Sequence, residues 1–339
     1  MDLIYIRNNN GDYDSGYLHH YDADFDVSSD VEHVTNDFAL KMPLPDKPED
    51  LLFMENEIRT IVFVEGTEYG GEISGSEIDI EANTITYTGR TWRGTFDQYI
   101  VEPPAGQDYR VVSGNLAASI RTLPLHPVMS IADTTYSGNT FQFDRYCTVF
   151  SGITKLLAAA NSSLRLSITF EQNDGAYAGT ATATITEARD LTDLIEVSQD
   201  YADKIKLKIT RDGNTPKHVI CLGQGELRER EVIHLYADDN WNISQTAIPG
   251  AYPVEAYDNS GSEDLLADGL KHYAELIGNH EQIDVSISDL EVRLGDIIAA
   301  KDRLTGENVQ AEITEIIYHC EDNGSYQRES YEYKTKVRI

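Results

Sequence analysis

The chain carries nine histidines, three cysteines and 58 carboxylates from which a catalytic or metal centre could be built. The acidic clusters Asp12-Tyr13-Asp14 and Asp22-Ala23-Asp24-Phe25-Asp26 place carboxylates at alternate positions, where they could converge on a hard cation such as calcium. Neither has the Gly and distant Glu of an EF-hand loop, and on a strand alternate Asp residues simply line one solvated face. His19-His20, His126 and His280-Glu281 are the histidines placed to suggest catalysis, and none falls in an H-E-x-x-H arrangement. There is no G-x-S-x-G nucleophile elbow. With so many carboxylates, some pair falls near glycosidase spacing in any fold, so that spacing carries no enzymatic claim.

Arg90-Thr91-Trp92-Arg93 follows Gly89 and could open a helix whose free N–H groups bind a phosphate or carboxylate. No further Gly or Lys completes a phosphate loop, and a strand-to-helix junction with a core Trp explains the same residues. Gly223-Gln224-Gly225 lacks the third glycine of a dinucleotide fingerprint and reads as a turn between strands. Cys147, Cys221 and Cys320 lie far apart, odd in number and without a C-x-x-C, which argues against a disulfide framework or zinc knuckle and for small core residues. The residues therefore predict no catalytic, cofactor-binding or metal-ligating set: not an enzyme, and no cofactor.

Positioning elements follow from length and pattern. At 339 residues the chain exceeds the roughly 250–300 at which a single core stops growing, so two or more packed units are expected. A formal charge of -31, from 27 basic and 58 acidic side chains, weighs against a surface that grips nucleic-acid phosphates. The start MDLIYIRNNN lacks the apolar core of a signal peptide, and no run approaches the roughly 18 apolar residues of a membrane-spanning helix. Synthesis and residence in a reducing, soluble compartment are expected.

Up to about residue 88, short alternating or apolar runs (LIYI, YLHHYDADFDV, FALKM, IRTIVFVEG, GEISGSEIDI, TITYTG) are separated by Gly, Asn, Asp and Pro, the pattern of a small barrel or sandwich. Trp92, Phe96, Tyr99 and Ile100 are then spaced as one helical face before Pro103-Pro104. SGNLAASIRTL and FSGITKLLAAANS read as helices, and LRLSITFEQNDGAYAGTATATITEA as a hairpin turning at Asp174-Gly175. After RDLTDLIEVSQDYADK, strands return at KIKLKIT, KHVICLG, EREVIHLYA and QIDVSI. They are interrupted by a helix that Ser262 can cap and whose stripe is Leu265, Leu266, Leu270, Tyr273 and Ile277, ended by Gly278. A last hairpin turns across Glu321-Asp322-Asn323-Gly324. The expected architecture is mainly β with α+β inserts: two similar β-barrels, residues 1–90 and 189–339, with an α+β insert at 91–188 and a smaller helical insert around 243–280.

One design recurs. IVFVEGTEYGGEISGSEIDI (61–80) and IIAAKDRLTGENVQAEITEI (297–316) both open on an apolar run and pass through charged residues to a Gly-Glu pair, Gly71-Glu72 and Gly306-Glu307, the second after a Thr305-Gly306 turn. Both then resume alternation ending in Glu-Ile.

TITYTGRTWRGTFDQYIVEPP, KHVICLGQGELREREVIHLY and RLGDIIAAKDRLTGENVQAEITEIIYHCEDNGSYQRESYEYKT resemble segments of the baseplate or tail-tip hub proteins of long-tailed bacteriophages and prophages, over about the last two thirds of the chain. That resemblance implies two similar barrels with two α+β domains inserted around them, assembled as a homotrimer whose six barrels match a sixfold tail tube. It implies a structural protein of the virion tail tip, made in the host bacterial cytoplasm, which links tail tube to tail tip and surrounds the DNA exit path. Implied partners are other tail proteins: the distal tail or tail-tube ring, the tape measure, and a fibre or spike. No stable nucleic-acid binding and no membrane anchor are expected. Because the chain ends at Ile339 after the second barrel, any lytic or adhesive domain is expected on another chain. The alternatives are a carbohydrate-binding tail protein that uses its 20 Tyr against host glycans, and a cell-wall hydrolase built on scattered carboxylates.

Overall fold

The computed structural model describes residues 1–9, 12–31, 36–54, 58–173, 179–193, 196–198, 205–278, 280–287, 292–301 and 308–337. Its strands in chain order are β1 (Leu3–Asn9), β2 (Asp12–Tyr17), β3 (Tyr21–Ser28), β4 (Asp37–Pro43), β5 (Ile58–Val64), β6 (Gly70–Asp79), β7 (Thr84–Thr91), β8 (Val111–Asn115), β9 (Met129–Ile131), β10 (Ser137–Gln142), β11 (Leu164–Gln172) and β12 (Gly179–Glu187). They continue as β13 (Glu196–Ser198), β14 (Ile205–Arg211), β15 (His218–Leu222), β16 (Val232–Ala237), β17 (Ile243–Ser244), β18 (Val254–Asp258), β19 (Glu281–Ile287), β20 (Ile297–Lys301), β21 (Asn308–Asp322) and β22 (Gln327–Val337). Among the described residues three α-helices accompany them: α1 (Leu116–Ile120), α2 (Val149–Ala160) and α3 (Leu265–Gly278). The fold is mainly β, as the sequence predicts.

Two compact units divide the chain. The first comprises Met1–Leu191, Ser286–Ile297 and Ile313–Lys334. Its principal sheet runs β22-β21-β3-β4-β7-β6-β5-β1-β2. The sheet curls until β22 meets the start of the chain, where the Gln327 amide donates to Asp2 at 3.3 Å and the terminal ammonium pairs with Glu329. Inside the curl lie Leu3, Phe25, Phe38, Leu40, Val62, Ile73, Tyr87 and Tyr318. β6 and β7 approach closely at Gly71 and Gly89: a Cβ at Gly71 would strike the Arg90 carbonyl and one at Gly89 the Glu72 carbonyl, while the Phe38 ring covers both.

β5 explains how this sheet carries a second layer. Val62 and Val64 face the curl, whereas Ile61 and Phe63 join a separate core with Trp92, Phe96, α1, α2, β11 and β12. A strand apolar on both faces is one packed on both faces, which is what IVFV spells at period two. β11 and β12 form the expected antiparallel hairpin, and β9 adds in parallel to β12; its Asp174-Gly175 turn lies outside the described residues. The β5–β6 turn grips this layer through Gly66 N to Phe170 O and Phe170 N to Thr67 O, both 2.9 Å.

The helix expected over Trp92–Ile100 is a correction: Gly94–Gln98 form one 3-10 turn and Tyr99 is already extended. Helical spacing loses because the next backbone groups have better partners. Val101 N donates to Cys147 O and Val149 N to Tyr99 O, both at 2.9 Å, so the chain leaves the helix to pair beside the start of α2. Trp92 and Phe96 are still fully buried, but Ile100 is 40% exposed.

The second unit comprises Thr192–Val285, Ile298–Glu312 and Thr335–Ile339. A four-stranded sheet, β17-β16-β15-β18, packs Val219, Cys221, Leu235 and Ala237 against Leu265, Tyr273 and Ile277 of α3. β13 pairs in parallel with β20, which also pairs β21, and β14 neighbours β19. The Thr305-Gly306 turn of the repeated hairpin, with Glu307, lies outside the described residues, as does most of the segment linking residue 189 to β14. α3 buries Leu265, Tyr273 and Ile277 of the predicted stripe and half-buries Leu266, but Leu270 is exposed, and the cap of the helix is Asp264, whose carboxylate accepts from Ala267 N at 3.0 Å. Ser262 donates instead to Asp268 at 2.5 Å, two residues too early in the chain to serve as the cap.

Candidate functional site

Of the residues weighed as an anion site, Thr91, Trp92 and Arg93 are buried, as a strand-end junction with a core Trp requires, and Arg90 is half-buried. Arg90 stands on β7 with Glu72 and Asp37 as cross-strand neighbours. Arg93 is 3% exposed: its Nε and one terminal nitrogen meet the two Glu68 oxygens at 2.7 and 2.9 Å, and the same nitrogen donates to the Leu166 carbonyl at 2.7 Å. Both the hydrogen-bonding fork and the charge of Arg93 are consumed in joining the β5–β6 turn to β11, so the geometry is that of a structural clamp. Trp92, fully buried, stacks on Phe170 at 4.5 Å with planes 5° apart.

Clefts lined by described residues open in this first unit, two of them large. One, of about 350 Å³, has Glu68, Tyr69, Arg93, Leu166, Arg189 and Asp296 among its lining. Two ion pairs stand in it, Arg93 with Glu68 and Arg189 with Asp296, the latter at 2.5 Å. The other, of about 400 Å³, is lined by Arg59, Glu72, Arg90, Tyr99 and His126 among others. Here His126 and Arg59 both lean on Glu72, at 3.3 and 3.8 Å. Neither arrangement presents a nucleophile beside a base.

The remaining predicted residues are dispersed. Asp22 and Asp24 stand on the exposed face of β3, with His319 of β21 at 3.6 and 2.8 Å. Asp14 pairs with Arg7 at 2.7 Å. His19 reaches Asp322 at 3.1 Å, and the Asp322 carboxyl is held below its usual range by the Gly324 N–H, with His19 adding to the effect. His20 sits at positive φ. His280 bonds the Asp212 carbonyl and the Thr215 hydroxyl at 2.9 and 3.0 Å. Gly223-Gln224-Gly225 is a turn, with Gly225 at φ +93 and the Gln224 amide on the Ser262 carbonyl at 2.9 Å. Cys221 and Cys320 are buried free thiols, Cys320 pushed up to about 12 by burial, and Cys147 is half-buried. Among the described residues no group of three or more His, Cys, Asp or Glu side chains is placed to hold a metal, and no helix is long and apolar enough to cross a membrane.

Two clusters were missed by sequence reasoning. Tyr69, Tyr318, Tyr331 and Tyr333 stack through the curled sheet, with Tyr69 and Tyr318 rings 4.5 Å apart and Tyr318 and Tyr331 5.0 Å apart; burial pushes the phenols of Tyr69 and Tyr318 up, keeping them neutral. Their signal was the period-two spacing in YEY of β22. The second is the histidine pair His218 and His234 on adjacent strands, with ring nitrogens 2.8 Å apart. Burial, and then the neighbouring imidazole, lowers the His218 pKa. Alternation in KHVICL and VIHLY puts both on the side opposite the apolar core, which was the available clue.

Comparison with known proteins separates sequence from fold. No family model matches the chain, and no curated protein matches it in sequence. Among solved structures, the 43 kDa tail protein of prophage MuSo2 from Shewanella oneidensis is similar over 100% of this chain and 98% of its own, with a TM-score of 0.58 at 12% identity. A tail protein from Neisseria meningitidis MC58 is similar over 99% and 97%, with a TM-score of 0.55 at 12% identity. The identity is low, the coverage is end to end, and the chain has the fold of these two tail proteins.

Proposed function

We propose that the chain is a structural phage tail protein, a tail-tip or baseplate hub that links the tail tube to the tip and surrounds the path by which the genome leaves. The carrying observation is the end-to-end likeness to the MuSo2 tail protein. A shared fold alone does not fix a function, but here the likeness covers nearly the whole length of both chains, not one widely reused module. The domain reading belongs to the same proposal, barrels at residues 1–90 and 189–339, each with one copy of the repeated hairpin, and an α+β insert at 91–188, with the strands at Ile313–Lys334 shared into the sheet of the first unit. Three such chains would supply six barrels to a sixfold tail tube. Other tail proteins would be the partners, the virion tail tip the location, and structure the role without catalysis. Immunogold or cryo-electron microscopy of the particle tests the role: the hub reading expects the label on the tail axis at the tip, and a peripheral position contradicts it.

Charge makes a separate prediction. A trimer would carry 3 × -31 = -93, and a lumen sharing that sign repels phosphates, so the duplex would slide without sticking. Fluorescence anisotropy with duplex DNA is expected to show no binding at physiological salt. A salt-dependent affinity in the micromolar range or tighter would count against the conduit.

A further inference from the structure

The four-stranded sheet of the second unit carries an imidazole pair that the proposed function does not use. β15 and β16 are antiparallel, with His218 opposite Tyr236 and Ile220 opposite His234, so the two histidines are diagonal neighbours on one face. The intervening Val219, Cys221, Leu235 and Ala237 are buried in the α3 core, which leaves His218 and His234 on the face away from the helix. His218 Nε2 lies 2.8 Å from His234 Nδ1. Tyr236 stacks on the His218 ring at 4.3 Å with planes 12° apart, and the two imidazoles are 5.1 Å apart at 26°, a ladder that restricts ring rotation. Lys217, the adjoining cation, is held elsewhere, over the Trp241 ring at 3.6 Å and on the Asp238 carbonyl at 2.8 Å.

We propose that His218 and His234 form a two-imidazole site for a divalent transition-metal ion, Cu²⁺ or Ni²⁺ ahead of Zn²⁺. Two nitrogens, each about 2.0–2.1 Å from one ion and set at a right angle, stand about 2.9 Å apart, whereas tetrahedral zinc spreads them to about 3.3–3.4 Å. The pair is therefore spaced for adjacent positions of a tetragonal ion, the geometry that nitrogen ligands give copper(II) and nickel(II). Hard cations such as calcium, which take oxygen ligands, are not served by this pair. One proton lies between the facing nitrogens in the hydrogen-bonded pair. On metal binding it moves to an outer ring nitrogen, so that each imidazole stays neutral with its N–H turned outward and both inner lone pairs reach the ion. The other coordination positions are open to water or to a donor from another chain.

The full-length protein is titrated with CuCl₂ and NiCl₂ by calorimetry, and the copper complex is read by electron paramagnetic resonance. Expected are one site of roughly micromolar affinity, superhyperfine structure from two nitrogens, and a loss of about tenfold or more in H218Q and in H234Q. Both variants should melt as the parent does, since neither ring lies in the α3 core. Unchanged affinity in H234Q, or a copper spectrum from the parent identical to that of the H218Q/H234Q double variant, would overturn the assignment.

Discussion

Trp92→Ala is expected to lower the stability of the first unit by ~3–5 kcal/mol, the range for removing a buried large aromatic. Trp92 is fully buried, lies flat on Phe170, and Phe170 in turn tilts against Phe63 of β5 with ring centroids 4.5 Å apart. The three rings connect the sheet to the layer built by α1, α2 and β11, so the cavity would open at the joint between layers and could not close by moving one loop. Trp92→Phe offers a control. It keeps an aromatic on Phe170 and removes an indole N–H that has no acceptor among the described residues, so the loss should be much smaller. Denaturant unfolding followed by near-ultraviolet circular dichroism measures both; equal losses would show that volume at this joint is not what the indole contributes.

Arg93→Met is expected to cost ~3–5 kcal/mol, because it leaves Glu68, 14% exposed at its side chain, as a charge without its partner. The clamp also satisfies the Leu166 carbonyl, so the β5–β6 turn and β11 lose a shared anchor. A double variant, Arg93→Met with Glu68→Leu, removes both charges and should recover a large part of the loss, since a buried pair is costly to break and much less costly to replace with apolar groups. A double variant as unstable as Arg93→Met alone would mean that the Leu166 contact, not the ion pair, dominates.

Sequence legibility followed the number of partners a segment has. β5 and β6, α2 and α3, and the β11–β12 hairpin were readable because their periods report one or two packed faces, and local pattern and tertiary burial agree. Trp92–Ile100 was misread because the helical spacing there is real but the backbone is taken by Cys147 and Val149, far along the chain. The cap of α3 was placed two residues early because Ser262 and Asp264 are both capping types, and only the bond from Ala267 N distinguishes them. The clamp role of Arg93 is not legible in sequence, since nothing local to it announces Glu68, 25 residues away, as its partner. His218 and His234 are 16 residues apart and meet only through the register of two strands, which no motif spacing encodes. The tyrosine abundance that suggested glycan binding is in part an internal stack, which period-two spacing can place on a face but cannot orient inward.

The central claim is a ring of three chains, and counting copies in the particle tests it most directly. If the hairpins at 61–80 and 297–316 occupy equivalent places in two barrels, each chain offers paired faces for a head-to-tail contact, and such a contact must close to avoid forming filaments. Closure at three gives six barrels. Each contact is expected to bury more than roughly 2,000 Å², the obligate class. Quantitative mass spectrometry of purified virions, or a symmetry-free cryo-electron reconstruction of the tail tip, should find three copies arranged around the tail axis; two copies, or six at the periphery, would contradict the account.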